Sequence, residues 1–369
     1  MEVTIQRETL LKPLQMIGGV VERRHTLPIL ANVLVTAEDN RLSLTATDLE
    51  VELIGNIPLE DDFSAGSITV SARKLLDICR TLPEGAVLQA TLESNHLILR
   101  SGKSRFMLTT LPAQDFPNVE ESPFSLQLTI SEAKLKSLLA KTHFAMGQQD
   151  VRHYLNGILF DIREGLIRCV ATDGHRLAFS SISQESVANT QLKAILPRKS
   201  ALELLRLLDA NQADEITFAI GENHFRVTSS HFTFTSKLIV AQYPDYSKLI
   251  PRNAAHTATT NREALKQALI RASILSNEKF RGIRLQLHHD TLRIMANNPE
   301  QEEAEEIIPI EYNGPSMEIG FNVSYLLDVV SAITSEKIRC SFTDPNGGVL
   351  IESTDDEDKS CYVVMPMRL

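Results

Sequence analysis

LANVLVTAEDNRLSLTATD (30–48) is the first of three similar stretches, followed by LNGILFDIREGLIRCVATD (155–173) and FRGIRLQLHHDTLRIMANN (280–298). Equivalent positions in the three copies lie 125 residues apart, as in Ala46, Ala171 and Ala296. Each copy alternates apolar and polar residues on either side of a polar turn, which is typical of a β-hairpin. Solenoid repeats are about 20–50 residues long, so the longer period predicts three copies of a whole domain.

The composition is that of a globular protein. Of the 369 residues, 43% are hydrophobic and 23% are charged, which excludes a disordered chain, and no apolar run approaches the roughly 18 residues of a membrane-spanning helix. MEVTIQRETLLK (1–12) carries charges where a signal peptide has an apolar stretch. The four cysteines are scattered without a CxxC pair, which favours reduced thiols over a disulfide framework or a metal site. We therefore expect a cytoplasmic protein with no metal ion and no cofactor.

Helical and strand patterns alternate in each third of the chain. Six segments have apolar residues at helical spacing: 8–19, 71–82, 131–144, 197–209, 261–275 and 322–333. Ser131 and Asn261 are good N-cap residues at the start of two of them. Alternating stretches such as VLQATLE (87–93) and ITFAIGE (216–222) follow the helices. Each third therefore predicts helices packed on mostly antiparallel sheets, an α+β fold.

The net charge of −10 is unevenly distributed along the chain. When the first segment is counted over 8–24, five of the six helical segments carry more Lys and Arg than Asp and Glu, and the exception is 322–333. Positive helices on an acidic body suit a surface that attracts phosphate. The alternative is that these cations occupy the solvent-exposed faces of amphipathic helices, where their aliphatic side-chain segments cover apolar surface. Charge alone leaves both interpretations open.

Ten strings spread over the whole chain resemble those of the bacterial DNA polymerase III beta subunit family, the β sliding clamps. They are RHTLPILANVL (24–34), TATDLEVE (45–52), YLNGILF (154–160), ATDGHRLA (171–178), FTSKL (234–238), PDY (244–246), SNEKFRG (276–282), NNPEQEEAEE (297–306), FNVSY (321–325) and YVVMPMRL (362–369). Ten matches in order are far more specific than any one motif.

The resemblance implies three clamp domains, at 1–122, 128–250 and 251–369, each with two helices packed on antiparallel sheets. It implies a head-to-tail homodimer that closes into a ring around double-stranded DNA and tethers the replicative DNA polymerase. Such a protein is not an enzyme. Its other partners would be the clamp loader, other polymerases and repair proteins, which bind through short peptide motifs. Heterologous contacts close into rings when the rotation allows it, so the internal repeat agrees with this implication.

The same resemblance assigns a hydrophobic pocket for partner peptides. Its residues are Leu155, Thr172, Gly174, His175, Arg176, Leu177, Pro244, Lys248, Leu249, Asn322, Tyr325, Val363, Val364, Met365, Pro366, Met367 and Arg368. The terminal VVMPMRL fits this role, because methionine adapts to varied ligand side chains. A plain edge strand over 362–364 is the structural alternative, and it is compatible with the pocket.

For DNA, the resemblance points to a small set of polar and cationic residues: Arg24, Arg73, Gln149, His153 and Tyr154. A ring that slides contacts phosphates without reading bases, so cations and amides suffice. The absence of tryptophan and the 5% aromatic content argue against an extended stacking platform for single strands.

For the dimer, we expect a contact between an edge strand near the end of the first domain and the third domain. The strand contributes Lys103, Arg105, Phe106 and Leu108. Its expected partners are Arg271, Ile274, Leu275 and the acidic run Glu300, Glu302, Glu303, Glu305 and Glu306. Edge strands are natural pairing templates, and apolar residues flanked by complementary charge suit such a contact. A solvated acidic face is the alternative for that run.

Two competing functions follow from the same residues. Asp173 and His175 suggest the orienter and base of a hydrolase, but the chain has no G-x-S-x-G signature. The matching positions in the other two copies also hold no histidine. The second competitor is a peptide-binding scaffold that never encircles DNA.

Overall fold

The computed structural model describes residues 1–21, 27–59, 63–119, 123–209, 214–251, 254–344 and 346–368. They form two compact units. The first unit comprises Met1–Ala133 and Leu202–Leu238, and the second comprises Lys134–Ala201 and Ile239–Leu369.

The α-helices of the described residues lie where the apolar spacing predicts them. They are α1 (Arg7–Ile17), α2 (Ala72–Thr81), α3 (Glu132–Ala140), α4 (Arg198–Leu207), α5 (Arg262–Ile274) and α6 (Val323–Ala332). α3 ends earlier than predicted, because His143–Ala145 forms a separate 3-10 turn. Asn261 is confirmed as the N-cap of α5, since its side chain accepts a hydrogen bond of 3.0 Å from the Ala264 N–H.

The strands are short and follow the predicted alternation. Those of the first third are β1 (Glu2–Gln6), β2 (Asn32–Glu38), β3 (Arg41–Thr47), β4 (Val51–Pro58), β5 (Gly66–Ser71), β6 (Val87–Glu93), β7 (His96–Ser101) and β8 (Ser104–Leu111). Those of the middle third are β9 (Phe124–Ser131), β10 (Gly157–Arg163), β11 (Leu166–Thr172), β12 (Arg176–Ser183), β13 (Gln191–Pro197), β14 (Glu215–Gly221), β15 (His224–Thr228) and β16 (Phe232–Lys237). Those of the final third are β17 (His256–Asn261), β18 (Gly282–His288), β19 (Thr291–Asn297), β20 (Glu303–Pro309), β21 (Glu311–Tyr312), β22 (Met317–Asn322), β23 (Lys337–Phe342), β24 (Val349–Ser353) and β25 (Ser360–Val364).

Three sheets organise these strands. The first unit holds a twelve-stranded sheet of order β1-β6-β7-β8-β5-β2-β3-β4-β16-β15-β14-β9. The second unit holds a nine-stranded sheet, β13-β10-β11-β12-β25-β24-β23-β17-β21, and a four-stranded sheet, β20-β19-β18-β22. The middle third is therefore divided, because β4 pairs with β16 in one sheet and β12 pairs with β25 in another. Both of these long-range pairings are antiparallel, as the α+β expectation requires.

The three similar stretches form three hairpins whose strand bounds repeat at the predicted interval. The strands of the second hairpin, β10–β11, begin and end 125 residues after those of the first, β2–β3. The strands of the third hairpin, β18–β19, follow after another 125 residues. Asp39 and Asn40, like Glu164 and Gly165, have positive φ at the turn, which is typical of the two-residue turns that match the twist of paired strands. The repeat is thus a repeat of structure, strand for strand.

Apolar faces of the helices and strands form the core. In α5 the buried residues Leu265, Leu269 and Ala272 recur at helical spacing. In β2 and β3 burial alternates along each strand, so one face packs inward and the other does not. The described helices include none that is long and apolar enough to cross a bilayer.

Candidate functional site: a groove beside the second hairpin

A tight turn follows β11 and carries the string TDGHR (172–176). The Thr172 hydroxyl donates to the Arg176 carbonyl (2.6 Å) and accepts from the Gly174 N–H (3.1 Å). The Asp173 carboxylate accepts from the N–H groups of His175 (2.9 Å) and Arg176 (3.0 Å). Short polar side chains that bond nearby backbone groups stabilise such turns, so the string fixes the local shape of the chain.

Gly174 provides both the conformation and the space that this turn needs. Its φ is +88°, and a Cβ there would lie 3.0 Å from Nη2 of Arg152. The Arg152 guanidinium is held by both Asp150 oxygens, at 3.0 and 2.9 Å, and Nη2 also donates to the Asp173 carbonyl. These hydrogen bonds from Arg152 lower the pKa of Asp150 to about 2. The charged guanidinium of Arg152 is therefore held in a fixed orientation over Gly174.

A cavity of about 320 Å³ opens beside the turn in the second unit. Its lining residues are Arg152, Tyr154, Leu155, Thr172, Gly174, Arg176, Leu177, Pro244, Leu249, Val363 and Met365. Leu177 and Val363 face each other across the β12–β25 pair. The groove therefore exists because the C-terminal strand joins the sheet of the second hairpin.

The floor of the groove is apolar and rigidly supported. Leu155, Leu177 and Val363 are each about 2% exposed and belong to one hydrophobic cluster with Tyr243 and Tyr246. The Tyr246 hydroxyl donates to the buried Asp161 carboxylate at 2.6 Å. Burial, together with that carboxylate, raises the pKa of Tyr246 to about 12. This buried bond anchors the wall that carries Pro244 and Leu249.

Arg176 holds the turn against α6. Its Nε donates to Asp173 (3.1 Å), Nη1 to Asp328 and Nη2 to the Phe144 carbonyl (2.6 Å). Its guanidinium also lies 4.4 Å from the centroid of the Tyr325 ring, a cation–π distance. The charged end of Arg176 is therefore occupied within the protein.

Nine of the predicted pocket residues do line the groove. They are Leu155, Thr172, Gly174, Arg176, Leu177, Pro244, Leu249, Val363 and Met365. Arg152 also lines the groove, although it was not among the predicted pocket residues. Tyr154, which the resemblance assigns to DNA, lines the groove too and packs edge-on against Tyr243. The sequence does carry a signal for Arg152: it lies two residues after the acidic Asp150 and just before the string YLNGILF, which contains the predicted pocket residue Leu155.

The other predicted pocket residues lie outside the lining found among the described residues: His175, Lys248, Asn322, Tyr325, Val364, Pro366, Met367 and Arg368. Val364 is fully buried, because side chains alternate along β25 and its neighbour Val363 faces the groove. Asn322 caps α6 by accepting from the Ser324 N–H (2.9 Å). Lys248 is 81% exposed and pairs with Asp245. Met367 is tied through its N–H to the Gly320 carbonyl.

The geometry does not support the hydrolase interpretation. Asp173 uses its carboxylate for two backbone N–H groups and Arg176, while the exposed His175 ring stacks at 6.4 Å from Tyr325. A base needs an orienting group within hydrogen-bond reach. Within the described ranges, no group of three or more His, Cys, Asp or Glu is placed to hold a metal ion.

The residues predicted to contact DNA are spread over several elements. Arg24 lies outside the described residues. Arg73 is exposed on α2, 3.6 Å from Asp77. Gln149 and His153 are exposed in the segment that precedes β10, and Gln149 has a φ of +54°.

The first part of the predicted dimer contact lies on β8, with one correction. Within the sheet β8 is not terminal, since it meets β5 through Thr110 and Leu111. Among the described residues, its earlier part pairs with β7 alone. Lys103 lies in the turn before β8, and Arg105 is exposed. Phe106 is half-buried, and Leu108 is buried in its own unit.

The second part of that contact lies on α5 and β20. β20 ends the four-stranded sheet. Arg271 forms a two-pronged ion pair with Glu306, at 2.7 and 2.6 Å, and this pairing lowers the pKa of Glu306. Ile274 is 73% exposed. Leu275 is half-buried, and Glu302 and Glu303 are exposed at the start of β20.

Three repeated α+β blocks and an apolar groove are typical of a binding protein built from equivalent domains. The chain belongs to the DNA polymerase III beta subunit family. It matches the family's N-terminal domain over residues 1–120, its central domain over 129–245 and its C-terminal domain over 247–368. The chain is thus a DNA sliding clamp, a non-catalytic subunit of the polymerase.

Relatives agree over their full lengths. The beta sliding clamp of Pseudomonas aeruginosa is 53% identical, and that of Escherichia coli is 48% identical, with 100% of each chain covered. The crystal structure of the Pseudomonas aeruginosa clamp bound to griselimycin matches with a TM-score of 0.97 at 52% identity. That of the Caulobacter crescentus beta subunit matches with a TM-score of 0.93 at 36% identity, and both cover 100% of this chain and of their own.

Proposed function

We propose that the groove of the second unit is the site where partner proteins dock a short peptide. The partners would be the replicative polymerase, the clamp loader, other polymerases and repair proteins, which would take turns at one site. The observation that carries this proposal is a cavity of about 320 Å³ that has an apolar floor and a polar rim. Few polar groups around an apolar concavity are typical of ligand sites, and Met365 at the rim can adapt to different side chains.

The chain would act as a homodimer that closes around double-stranded DNA. In the described part of the chain, the earlier part of β8 in the first unit pairs with β7 alone, and β20 ends its sheet in the second unit. Two different edges suit a head-to-tail contact between two copies. The domains would extend over 1–122, 128–250 and 251–369. DNA would meet exposed cations such as Arg73 without base recognition. The work would take place in the cytoplasm, with no cofactor.

Binding of griselimycin tests the groove, because a related clamp binds this compound. We expect calorimetry to give one molecule per chain. Met365→Glu should weaken binding at least tenfold, since a carboxylate at the rim resists desolvation by an apolar ligand. Leu202→Glu is the matched control: Leu202 is a partly exposed leucine of the first unit, and its substitution should change nothing. Equal affinity of the Met365→Glu variant and the unaltered chain would place the ligand elsewhere.

A further inference from the structure

The first unit contains a second groove at the equivalent place of the first hairpin. Its cavity measures about 360 Å³ and is lined by Thr47, Leu49, Pro117, Asn118, Val119, His224 and Lys237. The turn beside it repeats the turn of the peptide groove. The Thr47 hydroxyl donates to the Val51 carbonyl (2.8 Å), and Asp48 accepts from the Glu50 and Val51 N–H groups (2.9 and 2.6 Å). The backbone frame is thus present twice.

Strand pairing gives an unambiguous match between the residue rows of the strands at the two grooves, although the three residues of the row at the first groove are not themselves among those that line the cavity. Glu52 of β4 faces Thr235 of β16, as Leu177 of β12 faces Val363 of β25. One strand further, Thr235 faces Arg226, as Val363 faces Leu350. The apolar row Leu177, Val363 and Leu350 is therefore replaced by the polar row Glu52, Thr235 and Arg226.

The polar row is satisfied within the protein. Arg226 donates from Nε to the Thr235 hydroxyl at 3.0 Å, and its guanidinium lies 5.0 Å from the centroid of Phe124. Glu52 is 9% exposed and accepts from the Val119 N–H at 3.5 Å. Burial raises the pKa of Glu52, while that N–H and the charge of Arg226 oppose the rise. An apolar side chain seated as deep as the floor of the other groove would have to break these bonds without replacing them.

The mouths differ as well. Leu49 occupies the position of Gly174 with a φ of +75°, so a side chain projects where the peptide groove has none. Lys237 occupies the position of Met365 and pairs with Glu50 at 3.6 Å. The mouth of the first groove therefore has a bulky residue, Leu49, and a charged residue, Lys237, where the second groove has glycine and methionine.

We propose that Glu52, Thr235 and Arg226 are specificity-determining residues that keep apolar peptides out of the first groove, so that each chain offers one docking site although the fold builds the frame twice. This inference rests on the proposed function of the peptide groove. The two grooves share a backbone frame but differ in the polarity of the residues behind it. A polar group that an apolar ligand would leave unpaired disfavours binding at one groove, so the ligand binds at the other.

A transplant of the apolar residues tests the proposal. The variant L49G/E52L/R226L/T235V/K237M should bind two molecules of griselimycin per chain in calorimetry, against one for the unaltered chain. Adding Met365→Glu should return the number to one, because the original groove is then disabled. The mouth-only variant L49G/K237M should remain at one. A transplant that melts like the unaltered chain and binds one molecule would overturn the proposal, as would a second site in the mouth-only variant.

A smaller change guards against misfolding of the transplant. E52L/R226L removes both charges together, so that neither charge is left without the opposite one nearby, and it keeps the Thr235 hydroxyl. It should show a second, weaker site, and a single site in this variant with unchanged melting would contradict the proposal. Failure of the proposed function would look different, since the unaltered chain and its Met365→Glu variant would then bind griselimycin equally.

Discussion

Arg176 joins two distant parts of the second unit through one side chain. It reaches Asp173 in its own turn, the Phe144 carbonyl, and Asp328 on α6, while Tyr325 lies under its guanidinium. The Arg176 side chain is 11% exposed and that of Asp173 is 17% exposed, whereas Asp328 is 44% exposed, so the pair within the turn is the better shielded from water. We interpret Arg176 as a residue that positions the turn of the peptide groove.

Replacing Arg176 should therefore affect both stability and binding. We expect Arg176→Ala to lower the free energy of unfolding by about 3 kcal/mol, since it strands the carboxylate of a partly buried ion pair. It should weaken griselimycin binding about tenfold, because the turn loses its anchor. Arg176→Lys should fall between, since lysine keeps the charge but loses the planar fork. Denaturant unfolding and calorimetry measure the two effects.

The control is another arginine whose ion pair is exposed. Arg100 meets Glu93 at 3.2 Å with both side chains nearly half exposed, and such pairs contribute about 0–1 kcal/mol. Arg100→Ala should therefore leave the midpoint of unfolding and the affinity nearly unchanged. If both alanine variants behave alike, Arg176 has no positioning role.

Strands and helices set the edges through which two copies could meet. In the first unit the earlier part of β8 pairs with β7 alone among the described residues, and in the second unit β20 ends its sheet. Met107 and Ile307, on these two strands, are 58% and 61% exposed. Exposed apolar residues on unpaired edges mark contact surfaces. The sequence-based prediction did not include either residue, because alternation alone does not tell which face a partner covers.

A substitution at the end of α5 tests the proposed dimer contact. Ile274→Glu should convert dimers into monomers. The dimer would bury the new carboxylate without a partner, and the free energy of that burial would exceed what the apolar contact of Ile274 contributes to association. Sedimentation velocity at micromolar concentration measures the mass. Leu202→Glu on α4 serves again as the matched control and should leave the dimer intact. Dimers that persist in the Ile274→Glu variant would place the interface elsewhere.

The whole molecule divides different tasks among similar blocks. The first block provides the β8 edge, the second provides the turn 172–176, and the third provides β20 and the strand that completes the groove. A ring built from such blocks would hold DNA by topology, so that weak phosphate contacts would suffice and would permit sliding. A scaffold that binds peptides beside DNA would instead depend on affinity.

Cutting the DNA separates these two mechanisms. The protein is loaded onto nicked circular DNA with a clamp loader, and the circle is then linearised. We expect rapid loss of the protein after cutting and retention on the uncut circle, measured by gel filtration of the complex. Retention that is unchanged after cutting would mean that the protein does not encircle DNA.

Local patterns in the sequence determined most of the elements. The 125-residue repeat predicted three hairpins, and apolar spacing predicted the six helices, because both signals come from residues that are neighbours in the chain. The string TDGHR likewise contains Thr172 and Asp173, whose side chains make the local hydrogen bonds of its turn. Most of the groove residues came from the resemblance to a known family rather than from periodicity.

Tertiary structure alone decided which strands meet. The pairing of β12 with β25 brings Val363 to Leu177 in the floor of the groove, while the equivalent pairing of β4 with β16 brings the polar residue Thr235 to Glu52. Every strand edge offers the same N–H and C=O groups, so alternation predicts a strand without naming its neighbour. For the same reason the sequence shows three similar copies, and only the folded chain shows that the second of them borders the apolar groove.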